Sequence, residues 1–257
     1  MSTTSVHPFS AESIETVQAN LAPEDRVVVH TDPRGMAADR FRLLRMSLNA
    51  LWVAGKVKTL LVSSSLPSEG KTTTAINLAA SLSERGKRSV VLVETDFRKP
   101  VFFKRLGLEP WPGFVQALQE DTDPFACIRR VDPLGIYVLP AGQPAANAID
   151  LLNSVAFART LVRLRAAADW VVLDSAPALP VPDIQSVKTK ADGCLWVLRA
   201  GVTPRDAVDD AVQLVGKEHI IGMILNDAES LEERYASYHS YGYGYGYGSD
   251  GKDKQDK

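Results

Sequence analysis

Residues 60–73 read LLVSSSLPSEGKTT, and no other stretch of this 257-residue chain restricts its fold as strongly. A short apolar run of this kind suits a strand buried on both faces. It breaks at a loop, PSEGK, and the chain resumes as a helix, TTTAINLAASLSERG, closed by Gly86. Strand, loop, Gly-Lys-Thr and helix in that order form the P-loop pattern, with Ser65 standing at the usual first glycine. Backbone N–H groups around Ser68–Thr72, at a helix N-terminus, can wrap phosphate oxygens. Lys71 would reach the β- and γ-phosphates of ATP, and the Thr72 hydroxyl would ligate Mg²⁺. Ser68, Glu69, Gly70, Lys71, Thr72 and Thr73 are therefore the nucleotide-binding candidates. A chance Gly-Lys-Thr at a helix start is the competing explanation, and the strand–loop–helix context argues against it.

The same alternation continues along the chain. SVVLVETD, GIYVLPAG, DWVVLDSAP, DGCLWVLRAG and IIGMILN read as further strands. PGFVQALQED, SVAFARTLVRLRAAA, PDIQSVKTK and DAVDDAVQLVGK read as the helices between them. Upstream, AADRFRLLRMSLNALW carries Phe41, Leu44, Leu48 and Leu51 at helical spacing. Strands alternating with helices predict an α/β fold, a mostly parallel sheet with helices on both faces. Ligands of such sheets bind at the C-terminal ends of the strands. Three segments are expected: residues 1–33 as a loosely ordered arm around one weak strand, RVVVH; residues 34–231 as the nucleotide-binding domain; and residues 232–257 as a flexible tail.

Two carboxylate sites end apolar strands. VVLVETDFRKP sets Glu94 and Asp96 at one strand's edge with Arg98 just beyond, and WVVLDSAP sets Asp174 at another. A lone Asp after a strand is ordinarily a turn or cap residue. Two such sites downstream of a P-loop suit catalysis better, because Mg²⁺ prefers a hydroxyl, one or two carboxylates and waters. Thr72, Asp96 and Asp174 could supply that set.

Composition limits the function classes. A formal net charge of −2 gives no reason to expect nucleic acid as a partner. Two unpatterned cysteines, Cys127 and Cys194, suggest a reducing compartment. The start MSTTSVHPFSAESIETV has neither a basic cluster nor an apolar run, and no stretch reaches the roughly 18 apolar residues of a membrane span. A cytoplasmic location is expected, with any membrane association supplied by a partner.

The quoted motifs together resemble the bacterial tyrosine kinases, the P-loop autokinases that accompany capsule and exopolysaccharide export. In that family the P-loop reads like SSLPSEGKTT, the second motif like VETDFRKP and the third like VVLDSAPALPVPD, and a tyrosine cluster closes the chain. The resemblance implies transfer of phosphate from ATP to tyrosine, with Lys71, Glu94, Asp96 and Asp174 catalytic. Glu94 stands where the family usually has Asp, as the helper that orients or deprotonates the incoming phenol. Asp39, Arg42 and Arg45 resemble the family's acidic-x-x-Arg-x-x-Arg element, which implies a homo-oligomeric ring; by spacing alone they are three charges on one helical face. The family also implies a membrane polysaccharide co-polymerase as activator on a separate chain, which would recruit the protein to the inner face of the cell membrane, and a tyrosine phosphatase.

The tail gains a role from this. EERYASYHSYGYGYGYGSDG holds six of the seven tyrosines, Tyr235, Tyr238, Tyr241, Tyr243, Tyr245 and Tyr247, spaced by Gly and Ser. Such a stretch has too few aliphatic residues to offset the entropy of ordering it. Exposed phenols on a flexible backbone suit substrates, and the resemblance makes them autophosphorylation sites, modified in trans. The alternative is a MinD- or ParA-type ATP-switched positioning or scaffold ATPase without kinase activity. Such proteins carry a second lysine early in the P-loop, where this chain has Leu66, and they lack a tyrosine tail.

Overall fold

The computed structural model describes residues 14–228. Its eight strands are β1 (Thr16–Gln18), β2 (Thr59–Ser64), β3 (Val90–Glu94), β4 (Arg129–Asp132), β5 (Ile136–Leu139), β6 (Trp170–Asp174), β7 (Gly193–Arg199) and β8 (Ile220–Asn226). They form one sheet in the order β1-β4-β5-β3-β6-β2-β7-β8, and only the β4–β5 pair is antiparallel. The described helices are α1 (Val28–Thr31), α2 (Met36–Val53), α3 (Lys71–Ser83), α4 (Phe102–Leu106), α5 (Phe114–Gln119), α6 (Ala148–Leu152), α7 (Val155–Ala167), α8 (Asp183–Lys188) and α9 (Arg205–Val215).

The central strands are continuous apolar runs because both faces of the sheet are covered. Alternate residues of β2 go to opposite sides: Leu61 joins the core under α5 to α9, while Leu60 and Val62 join the core under α2, α3 and α4. β3 divides in the same way, with Val91 and Val93 on one side and Val90 and Leu92 on the other. β2 lies between β6 and β7, with Val62 opposite Asp174, and Asp174 opposite Glu94 of β3. The three motifs therefore end side by side at one edge of the sheet.

The structure corrects the reading of RVVVH. The segment is not a strand: Val28–Thr31 is a helical turn, and Val27 is buried in the core. Asn77 of α3 holds it there, accepting from Val29 N at 3.1 Å and donating to Arg26 O at 2.8 Å. An unforeseen strand, β1, pairs in parallel with β4. Helix α3 stops at Ser83, before the expected Gly86, and Glu84, Arg85 and Gly86 all take positive φ.

Candidate active site

The loop from Ser65 to Gly70 is held from below. Ser65, at the position of the usual first glycine, is fully buried and accepts a hydrogen bond from Trp196 Nε1 at 3.1 Å. Glu69 turns its side chain inward rather than toward solvent. Its carboxylate accepts from Leu66 N at 2.7 Å and from the Thr203 hydroxyl, and its carbonyl accepts from Asn226 Nδ2 at 3.0 Å. Of the predicted nucleotide-binding residues, Ser68, Gly70, Lys71, Thr72 and Thr73 line a cleft of about 340 Å³, whereas the buried Glu69 does not. Ser68 at φ 65° and Gly70 at φ 95° turn the loop into the start of α3. A Cβ on Gly70 would lie 2.0 Å from Asn226 Nδ2, so any other residue there would displace that amide as well as strain the backbone.

Two carboxylates meet this loop, each in a different state. Lys71 Nζ lies 3.7 Å from Asp96 Oδ2, across the cleft that both line. Thr72 Oγ1 donates to Asp174 Oδ2 at 2.7 Å. Asp174 is completely buried, and its other oxygen, Oδ1, has no partner. Burial pushes its carboxyl up to about 6 against the opposing pull of Lys71 and of the Thr72 hydroxyl. An orphaned carboxylate oxygen beside a hydroxyl is a fitting half-site for Mg²⁺, which takes its remaining ligands from waters and phosphate. Among the described residues no cluster of three or more His, Cys, Asp or Glu side chains could hold a metal alone.

Glu94 is engaged elsewhere. One oxygen accepts from Val101 N and from Phe102 N at 2.9 Å, and the other from Ala141 N at 2.9 Å. Burial nonetheless raises its carboxyl to about 7, outweighing those three donors. Its side chain ties β3 to the start of α4 and to the loop after β5, and it does not line the cleft. Arg98, which does line it, makes a two-pronged pair with the buried Asp183, at 2.8 and 3.0 Å. Sequence reasoning misses Asp183, Thr203, Trp196 and Asn226. Asp183 alone has a local signal, because it closes the VPD of the third motif.

The three charges on α2 are separately occupied. Arg42 pairs with Asp39 and donates to Pro33 O, while Arg45 donates to Ser81 O at the end of α3 at 3.1 Å. The six tail tyrosines, Tyr235 to Tyr247, lie outside the described residues. No described helix is long and apolar enough to cross a membrane.

No protein-family model matches the chain. Tyrosine-protein kinase YwqD of Bacillus subtilis is 28% identical over 218 residues, covering 84% of this chain and 91% of YwqD. The succinoglycan biosynthesis transport protein ExoP of Rhizobium meliloti is 31% identical over 231 residues, 84% of this chain but 29% of ExoP, so the chain spans under a third of that relative. Among solved structures, the kinase domain of the Escherichia coli tyrosine kinase ETK matches with a TM-score of 0.73 at 24% identity, over 78% of this chain and 79% of that one. MinD of Pyrococcus horikoshii, solved with Mg-ADP, matches with a TM-score of 0.56 at 19% identity, over 65% and 69%. Both likenesses show the fold, a mostly parallel sheet with helices on its two faces. Correspondence along nearly all of YwqD goes further than fold: over most of its length the chain is similar in sequence to a bacterial tyrosine-protein kinase.

Proposed function

We propose that the protein is an ATP-dependent tyrosine autokinase that phosphorylates its own C-terminal cluster in trans and thereby regulates exopolysaccharide or capsule export. The observation that carries the reading is the joining of Lys71, Thr72, Asp96 and Asp174 at the start of α3, through the Lys71–Asp96 pair and the Thr72–Asp174 hydrogen bond. The N–H groups of residues 68–72 and the Lys71 ammonium would hold the β- and γ-phosphates of ATP. Thr72 and Asp174, with Asp96, would hold Mg²⁺, which when bound neutralises charge on the phosphates. Phosphoryl transfer asks the protein mainly for positioning and electrostatic support. Asp96, on the cleft wall, is placed in this reading to accept the phenol's hydrogen bond; the phenol oxygen bonds to the γ-phosphorus, ADP leaves, and the phenol proton passes to the carboxylate. Glu94 then acts through the backbone it holds, as a positioning residue.

The partners follow from the same reading. A co-polymerase on a separate chain would activate the kinase at the inner face of the membrane, Asp39, Arg42 and Arg45 would join copies in a ring, and a tyrosine phosphatase would reset the tail. A second reading, an ATP-switched positioning or scaffold protein, draws support from Glu94, whose carboxylate is spent on the backbone. Incubation with ATP, Mg²⁺ and the activating segment, followed by an anti-phosphotyrosine blot, separates the two. Signal on the wild type and none on Lys71→Ala is expected; no signal on either would favour the second reading.

A further inference from the structure

Four cationic side chains line the cleft, and two of them are already neutralised. Lys71 faces Asp96, and Arg98 is paired with buried Asp183. The other two, Lys99 and Arg105, are exposed, and among the described residues neither side chain has a hydrogen bond or an ion pair. They come from the segment between β3 and the end of α4, not from the phosphate loop. Pro180 and Val181 supply apolar wall in the same cleft. Apolar surface beside two unpaired cations matches a tyrosine that has an anion close to it in sequence.

The tail contains such a tyrosine. Glu232 and Glu233 precede Tyr235 by three and two residues, and no other tail tyrosine has a carboxylate within two positions. In an extended chain two residues span roughly 6.6 Å, enough to separate a phenol at the reacting end from an anion at the rim. We propose that Lys99 and Arg105 form an anion subsite that selects an acceptor tyrosine carrying a negative charge two or three residues before it. The proposal rests on the kinase reading. For Tyr235 the anion is carboxylate. For each later tyrosine it is the phosphate on the tyrosine before it, since Tyr238, Tyr241, Tyr243, Tyr245 and Tyr247 follow one another at steps of three or two. Modification then starts at Tyr235 and runs toward the C-terminus.

Fluorescence anisotropy with the full chain and Mg-ADP tests this on synthetic peptides. One pair covers residues 229–240 with Phe at 238 and either Glu or Gln at 232 and 233. A second pair covers residues 236–245 with Phe at 243 and either tyrosine or phosphotyrosine at 238. The charged member of each pair should bind roughly fivefold tighter, as two partly screened ion pairs allow, and the gap should shrink in 0.5 M salt. In Lys99→Glu with Arg105→Glu the gap should vanish, and a peptide with Lys at 232 and 233 should now bind better, which also shows that the variant is folded. Equal binding within both pairs by the wild type overturns the proposal, as does a loss of ATP affinity in the variant as large as its loss of peptide preference. A preference only for carboxylate overturns the stepwise order. If the wild type prefers charged peptides yet phosphorylates none when ATP, Mg²⁺ and the activating segment are supplied, the subsite stands and the kinase reading fails.

Discussion

The backbone at Gly70 stands at φ 95° with Asn226 pressed against it, so Gly70→Ala combines left-handed strain with a steric clash. A destabilisation of about 1–3 kcal/mol is expected, read as a lowered denaturation midpoint at unchanged slope. Lys71→Ala removes a charge from the loop without touching its buried supports. Contacts of an ammonium to phosphate are worth roughly 1.5–3 kcal/mol, so ATP affinity by calorimetry should fall at least tenfold. Unchanged affinity would show that Lys71 does not face the phosphates. Cys194 is buried, and burial pushes its thiol up to about 12. It should stay unreactive toward iodoacetamide in the folded protein and react on unfolding, as mass spectrometry can check.

Between elements, Glu94 is the joint that matters most, since it fastens β3 to α4 and to the loop after β5. Its carboxyl is raised to about 7 from an ordinary value of 4.5, so the folded state holds the proton more tightly than the unfolded chain. Stability from this group is therefore full below about pH 4.5 and lost as pH rises through about 7. Urea midpoints from pH 5 to 8 should fall in the wild type more steeply than in Glu94→Gln, and parallel curves would remove Glu94 as the source. The ends of β2, β3 and β6 are legible because a strand covered on both faces must be a continuous apolar run, and the site begins where each run breaks. Glu94's true partners are not legible: backbone N–H groups at 101, 102 and 141 leave no mark on residue identity. RVVVH reads as a strand because its Val-rich composition suits one, whereas Asn77, 51 residues after Arg26, fixes it as a helical turn. β1 and β4, of three and four residues, are too short to show a period.

For the whole molecule, the body and the tail divide the work in the proposed scheme. Each phosphotyrosine adds about −1.5 to −2 charges, so six sites would add roughly −9 to −12 to a chain whose formal net charge is −2. Repulsion on that scale should release modified tails and loosen the ring. Arg42→Glu with Arg45→Glu should likewise give a smaller particle by light scattering if these residues join copies, and an unchanged mass would confine them to the contacts they make within one chain. Composition says only that a Gly- and Ser-spaced phenol cluster has too few aliphatic residues to build a core; the resemblance of the upstream motifs is what makes its tyrosines candidate substrates. The most direct test of the kinase account mixes two defective chains with ATP, Mg²⁺ and the activating segment of the co-polymerase. One is Lys71→Ala with its tail intact; the other is active but lacks residues 235–257. Phosphotyrosine on the Lys71→Ala chain, rising with the concentration of the truncated one, is the predicted result. Its absence, while the full-length wild type labels itself at a rate independent of concentration, would contradict transfer between copies.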